Sequence, residues 1–449
     1  MNTLTIDSAI EKGLEVLQYE VLRPNQRSVI KAYLEGNDVL YCAPTGSGKN
    51  DIRNGKADII FASPESILGQ RRTLVTELSK TDTLKAIFID EAHCIKKFGT
   101  AKKKETPVYR PAYSQLGELR SLVQKHVPVI ALTATADEAT RNLIIKSLCM
   151  SNPQQILITP EKKNVKYSVE TGSKDTCSNF KWLRDLLDKY GENCPRIIVF
   201  FRQIKHISEV FEYLQTSLGE KQYSKDENNS MNGYWNRTFA MFHLTTNEKI
   251  KKTICSSFQH IDGKIRVVLC STSFSMGLDV KQVHTVVHFG PANDLDDYLQ
   301  ESGRAGRDPD RKYNAVLIKH RYCLSSQNIS VEMKNFIKAT TCRRVYLLKN
   351  FAEKTSPLLP KHDCCDNCAA TCTCTCDCKG LCSCISTPSC SSTDSEILLS
   401  IRSSVVASIE SSSSSSSSSS SEDENFSSGS EIEQYLSRKP NIVYDSDSD

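Results

Sequence analysis

Apolar residues along this chain gather into short runs rich in β-branched side chains: DVLYCAP (38–44), ADIIFASP (57–64), KAIFIDEAH (85–93), VPVIALTATA (127–136), RIIVFF (196–201), IRVVLCSTS (265–273) and HTVVHFG (284–290). Between them stand stretches such as DSAIEKGLEVLQ, NFKWLRDLLDKY and HISEVFEYLQTSL, whose apolar positions recur at three and four and so predict amphipathic helices. Strands alternating with helices predict parallel sheets of α/β class. A polar stretch at 160–175 divides the runs into two such sets, which predicts two α/β domains. Beyond about residue 320 the pattern turns helical (VEMKNFIKATTCRRVYLLKNF) and then Cys-rich. From Ser391 it collapses to Ser, Asp and Glu, with an unbroken Ser411–Ser421 run. That tail is expected to be disordered, since it lacks the apolar surface to order itself.

Composition adds little to this picture until it is divided along the chain. Hydrophobic and charged contents of 39% and 24% are those of a water-soluble globular protein. No apolar run approaches the roughly 20 residues that span a bilayer, and MNTLTIDSAIEKGLEVLQ lacks a signal-peptide layout, so an intracellular protein is expected, with no membrane partner. The net charge of +4 hides an asymmetry: residues 391–449 hold 11 acidic and 3 basic residues, a net of −8, which leaves +12 on residues 1–390. A basic body suits a polyanion. Eight of the 19 cysteines are scattered before residue 340 and read as small buried hydrophobes; the eleven between Cys342 and Cys390 point to metal or free thiols.

Candidate chemistry begins at APTGSGKN, which follows a strand signal and has the spacing of a phosphate-binding loop. Backbone N–H groups around Thr45, Gly46, Ser47 and Gly48 would surround phosphates, with Lys49 reaching the β and γ oxygens. FIDEAH (88–93) places Asp90 and Glu91 at the end of a buried strand, where Asp90 would hold Mg²⁺ and Glu91 would polarise an attacking water. TATA (133–136) ends the next strand with hydroxyls aimed at that site. LRPNQ offers Arg23 and Gln26 to an adenine edge, and QESGRAGRD puts Gln300, Arg304 and Arg307 on one segment, as arginine fingers need to be.

With these motifs in this order the chain resembles superfamily 2 helicases, specifically RecQ-type ATP-dependent DNA helicases, over roughly residues 10–370. The resemblance rests on DEAHCI, on SFSMGLDVKQVHTVVHFGPANDLDDYLQESGRAGRD and on the Cys-bearing segment at 342–368. It implies two RecA-like parallel-sheet domains (1–165 and 166–320), a small helical zinc-binding subdomain (321–370), a Cys-rich extension (371–390) and the acidic tail (391–449). Its nucleotide roles carry to Arg23, Gln26, Thr45, Gly46, Gly48, Lys49, Asp90, Glu91, Gly277, Asp279, Gln300, Arg304 and Arg307. It implies ATP, Mg²⁺ and Zn²⁺ as cofactors, single-stranded and duplex DNA as partners, 3′ to 5′ movement, and a nuclear setting in DNA repair or recombination. Candidate strand contacts by position are Arg202, His243 and Thr272.

Zinc needs four ligands. Cys342, Cys365 and Cys368 supply three, Cys365-x₂-Cys368 being a metal-knuckle spacing. His362 and Cys364 both qualify as the fourth; His362 keeps an x₂ interval to Cys365 and is preferred, Cys364 being the alternative. CTCTCDCKGLCSC is open between metal binding and a low-complexity extension, and YDSDSD between a phosphoacceptor that recruits a protein partner and a solubilising end.

Three departures stand out. Asn50 occupies the place of the Ser or Thr whose hydroxyl binds Mg²⁺. Only 14 residues separate Lys49 from Pro64, where the family has several dozen, so an internal deletion after the phosphate loop is expected to cost the first sheet a central element. The aromatic-rich loop after the acidic motif is replaced by IKKFGTAKKKETPVYRPAY, in which Phe98, Tyr109, Arg110 and Tyr113 are the stand-ins. The wedge-bearing accessory domain expected after the zinc segment has no counterpart in the tail.

Overall fold

The computed structural model describes residues 6–17, 21–22, 24–35, 37–42, 62–69, 72–80, 84–100, 108, 110–224, 233–271, 274, 280, 282–351, 355–373 and 401. Arg23, Thr45, Gly46, Ser47, Gly48, Lys49, Asn50, Tyr109, Thr272, Gly277 and Asp279 therefore lie outside the described residues, as do the Cys-rich run from residue 374 and the tail apart from Ile401.

Two parallel sheets carry the fold. Strands β1 (Val39–Cys42), β2 (Ile87–Ile89), β3 (Val129–Thr133) and β4 (Gln154–Leu157) form the first, in the order β2-β3-β1-β4. The second holds β5 (Val165–Thr171), β6 (Arg196–Phe201), β7 (Phe239–Phe242), β8 (Val267–Cys270), β9 (Val283–Phe289) and β10 (Tyr313–Lys319), in the order β5-β10-β9-β6-β8-β7. Every pairing is parallel. Parallel sheets need cover on both faces, and the second sheet has it. Alternate residues of its strands enter one core with Phe258, Tyr298, Phe336 and Leu347, and another with Phe180, Trp182, Leu186 and Leu214. Together these are two RecA-like lobes followed by a small helical module. Among the described residues no helix is long and apolar enough to cross a membrane.

The structure departs from the pattern in two places. The polar break at 160–175 contains β5, an edge strand whose polar Lys166 and Ser168 are nonetheless buried. Cover comes from the zinc module: Tyr167 bridges Cys365, and the Val169 amide donates to Asp366 Oδ2 at 3.0 Å. Alternation that looks half-exposed in sequence is buried because a later segment closes over it. Ile401, assigned with the tail, is fully buried in the Phe180 cluster instead. Among the described residues the first sheet holds four strands, β1 lying between β3 and β4, and the run after the phosphate loop, where a central element is expected to be lost, lies outside them up to residue 61.

Candidate active site and metal centre

The acidic pair sits where β2 ends. Glu91 turns into the left-handed region (φ 48°), a conformation that costs a non-glycine residue and clusters at functional sites. Its amide donates to Asp90 Oδ1 at 2.8 Å. His93 then reaches both ways: its Nδ1 lies 3.3 Å from Glu91 Oε2 and 3.1 Å from Thr133 Oγ1, and Thr133 in turn donates to the Thr135 carbonyl at 3.0 Å. Thr133 and Thr135 are buried, so the DEAH segment and the end of β3 form one hydrogen-bonded unit.

Gln300 and Arg304 are buried on and just after the helix Leu295–Ser302 of the second lobe, and Arg307 follows them. Burial lowers the pKa of both arginines, and Glu91 of the first lobe is among the charges acting on Arg304. The structure thus brings Glu91 near enough to Arg304 for its charge to act on it. Gln26 lies in the first turn of the helix Pro24–Leu34.

Two lysines of the helix Cys94–Gly99 pair with acids of the second lobe. Lys97 Nζ donates to Asp297 Oδ1 at 2.6 Å, and Lys96 Nζ lies 3.5 Å from Asp296 and 3.8 Å from Asp137. Asp296 is pushed up to about 7 by burial and by Asp294, with Lys96 opposing. This lobe-to-lobe pairing was not read from sequence, because an acidic run beside a Lys-Lys pair looks like two solvated faces.

The aromatic stand-ins assemble around one arginine. Phe98 and Tyr113 meet edge-on with ring centroids 5.8 Å apart, and Arg110 lies over Tyr113 at 4.7 Å. Arg110 also grips Glu65 with two hydrogen bonds of 2.8 and 2.6 Å, which hold that carboxyl at about 2. Arg202 and His243, offered as strand contacts, make local bonds: Arg202 donates to the Pro291 carbonyl (3.0 Å) and Asn293 (3.1 Å), and His243 pairs with Thr245 at 3.0 Å.

The metal centre corrects one ligand. The sulfurs of Cys342, Cys364, Cys365 and Cys368 all lie within 4.8 Å of one another, the spacing that tetrahedral Zn²⁺ with ~2.3 Å bonds to sulfur requires. His362, the preferred fourth ligand, points its Nδ1 at Cys372 Sγ, 3.4 Å away. The physical reason is a turn: Lys361–Asp363 forms a 3₁₀ turn ending at Cys364, whose backbone is helical (φ −75°, ψ −63°), while Cys365 is extended (φ −163°). Adjacent cysteines so arranged converge on one point. Hydrogen bonds from Cys342 and Cys364 hold the Cys365 thiol far below its usual range, and the amides of Cys368 and Arg343 donate to it at 3.4 Å.

Comparison with known proteins agrees with this module. The helicase conserved C-terminal domain family matches residues 178–309, and the RecQ zinc-binding family matches residues 322–369, the stretch that holds all four cysteines. By these two matches the chain is similar to RecQ-type helicases. It is similar to the ATP-dependent DNA helicase RecQ of Pasteurella multocida, 28% identical over 335 residues, covering 71% of this chain and 47% of that one. It is also similar to the ATP-dependent helicase wrn-1 of Caenorhabditis elegans, 29% identical over 331 residues, covering 69% and 28%. The chain thus spans half or less of the length of these relatives. Among solved structures it is similar to Mycobacterium smegmatis helicase Lhr bound to ssDNA and AMP-PNP, at 17% identity and a TM-score of 0.49, covering 79% of this chain and 52% of that one.

Proposed function

We propose that this RecQ-type chain is an ATP-dependent DNA helicase that moves 3′ to 5′ on single-stranded DNA and separates duplex DNA. The observation that carries the reading is the docking of the segment after the acidic motif on the helix that leads into the arginine segment, through Lys97 to Asp297 (2.6 Å) and Lys96 to Asp296 (3.5 Å). ATP supplies the phosphoryl group whose hydrolysis drives the cycle, and Lys49, Thr45, Gly46, Ser47, Gly48 and Asn50 are the residues to hold it, with Arg23 and Gln26 at its base. Asp90 is the ligand for Mg²⁺. Glu91 orients the attacking water, held by His93, and Gln300, Arg304 and Arg307 stabilise the charge that develops on the transferred phosphoryl oxygens. Gly277 and Asp279 are assigned to nucleotide binding by the resemblance of SMGLDV. Backbone phosphate contacts make DNA binding salt-sensitive, and the setting proposed is DNA repair or recombination in the nucleus, with the acidic Ser-rich tail taking a protein partner.

One observation favours a second reading. With 14 residues between Lys49 and Pro64 and Asn50 after the lysine, the phosphate loop has little chain for the helix whose N-terminus must face the phosphates. A nucleic-acid-binding chain with impaired hydrolysis would result. DNA-stimulated ATP hydrolysis decides, measured beside a version with the missing segment restored and Asn50→Ser. Turnover in both supports the helicase; turnover only in the restored chain supports the impaired form.

A further inference from the structure

The segment joining the two lobes is gripped on both sides by elements with separate tasks. On one side stands the arginine segment 303–308. Lys162 Nζ donates to the carbonyls of Gly303 (2.5 Å) and Ala305 (2.8 Å), Asn164 Nδ2 donates to the Asp308 carbonyl at 2.7 Å, and the Tyr313 amide donates to the Asn164 carbonyl at 2.9 Å. Gly306 is left-handed (φ +73°), and a Cβ there would lie 2.5 Å from Val165 Cγ2 and 3.0 Å from Asn164 Oδ1. Only glycine takes this φ and leaves room for the Val165 and Asn164 side chains.

On the other side stands the zinc module. The helix Arg343–Leu348 begins directly after Cys342. Arg344, fully buried, donates from Nη1 to the Lys162 carbonyl at 2.9 Å and from Nη2 to the Val165 carbonyl at 2.5 Å, and its guanidinium lies 5.3 Å over the Tyr167 ring. Arg343 is fixed too, donating to Asp366 Oδ1 at 2.5 Å next to Cys365. Arg343 is therefore oriented by a residue adjacent to Cys365, Arg344 stands two positions after Cys342, and a buried guanidinium bonded to backbone carbonyls has no second place to go.

We infer that residues 162–165 form a relay through which the folded zinc module positions the arginine segment 304–307, with Lys162 and Arg344 as its two positioning residues. The inference rests on the proposed role of those arginines for its catalytic meaning, and on the contacts alone for its mechanical one.

Hydrogen exchange on the full chain tests it. In Lys162→Met and in Arg344→Met we expect the amides of 303–308 to exchange about tenfold faster, the factor that loss of one or two net hydrogen bonds gives. Amides of β6 and β8 are expected to stay as in the wild type, and zinc content to stay unchanged. The Arg344 variant is the decisive one, because its side chain does not touch 303–308. Unchanged exchange at 303–308 in that variant, or a uniform rise across the lobe, overturns the relay. If Arg344→Met does not fold, removing zinc from the wild type with a chelator replaces it, with the same expected peptide and the same overturning result. Where the wild type turns over ATP, Lys162→Met is expected to lower kcat about tenfold and leave KM for ATP unchanged. A wild type without turnover but with the expected exchange pattern refutes the proposed activity and leaves the relay intact.

Discussion

The two lobes share a pattern of strands alternating with helices, yet they are buried very differently. Strands β6, β8, β9 and β10 are enclosed over almost their whole lengths, whereas the edges of the first sheet leave Phe88 55% exposed on β2 and Leu157 49% exposed on β4. In the second lobe, helices cover both faces and the zinc module covers the β5 edge. In the first, one face holds the cluster around Leu40, Ile95, Leu119 and Ile144, and the other a small group of Ala32, Val39 and Ile130 among the described residues. The lesson is that strand pattern specifies a sheet, but burial depends on the chain available to cover it. Only 14 residues lie between Lys49 and Pro64.

Breaking the cover of the second lobe should have the largest effect. Cys364→Ser is expected to lose zinc, and with it several kcal/mol out of the roughly 10 kcal/mol that a structural zinc supplies in small domains, whereas His362→Ala should retain the metal. Zinc content by atomic absorption, with urea unfolding beside it, checks both; zinc retained in Cys364→Ser would return His362 to the ligand set. Next comes a matched pair of phenylalanines. Phe180→Ala, removing a fully buried ring between Phe201 and Phe289, should cost about 3–5 kcal/mol, and Phe88→Ala under about 1 kcal/mol. Equal costs in urea unfolding would show that the lobes are covered alike.

Lys97→Met probes the junction of the lobes. Asp297 is 7% exposed there, and stripping its partner should cost about 2 kcal/mol and loosen the lobes, seen as a larger radius of gyration by small-angle scattering. An unchanged radius would mean the pair does not hold the lobes. The smallest effect concerns pH. Asp296, at about 7 when folded against 3.8 otherwise, binds more protons folded than unfolded between those values, so stability should fall as pH rises from 4 to 7. Its side chain is 21% exposed, and screening by solvent reduces the change to about 1 kcal/mol. Asp296→Asn should flatten that slope; an unchanged slope would assign it to other groups.

Much of the site was legible because its chemistry lies in contiguous residues. DEAH, QESGRAGRD and Cys365-x₂-Cys368 each place their groups within one turn or strand end, where local geometry is nearly forced. The fourth thiol was not legible. An x₂ interval favours His362 on spacing alone, and only the 3₁₀ turn before Cys364 shows that neighbouring cysteines converge. The strand β5 escaped for a related reason, since its polar alternation signals exposure and the segment that buries it lies about 200 residues away in sequence.

The amino-acid sequence by itself determined the α/β class, the order of the motifs, the resemblance they carry and three of the four cysteines, because these depend on periodicity and short contiguous motifs. Tertiary structure alone decided the fourth cysteine, the pairing of Lys97 with Asp297 and the two ties of the linker, from Lys162 to Gly303 and from Arg344 to Lys162. Those contacts join residues far apart in the chain, and a lysine bound to a distant carbonyl carries the same local pattern as a lysine in water.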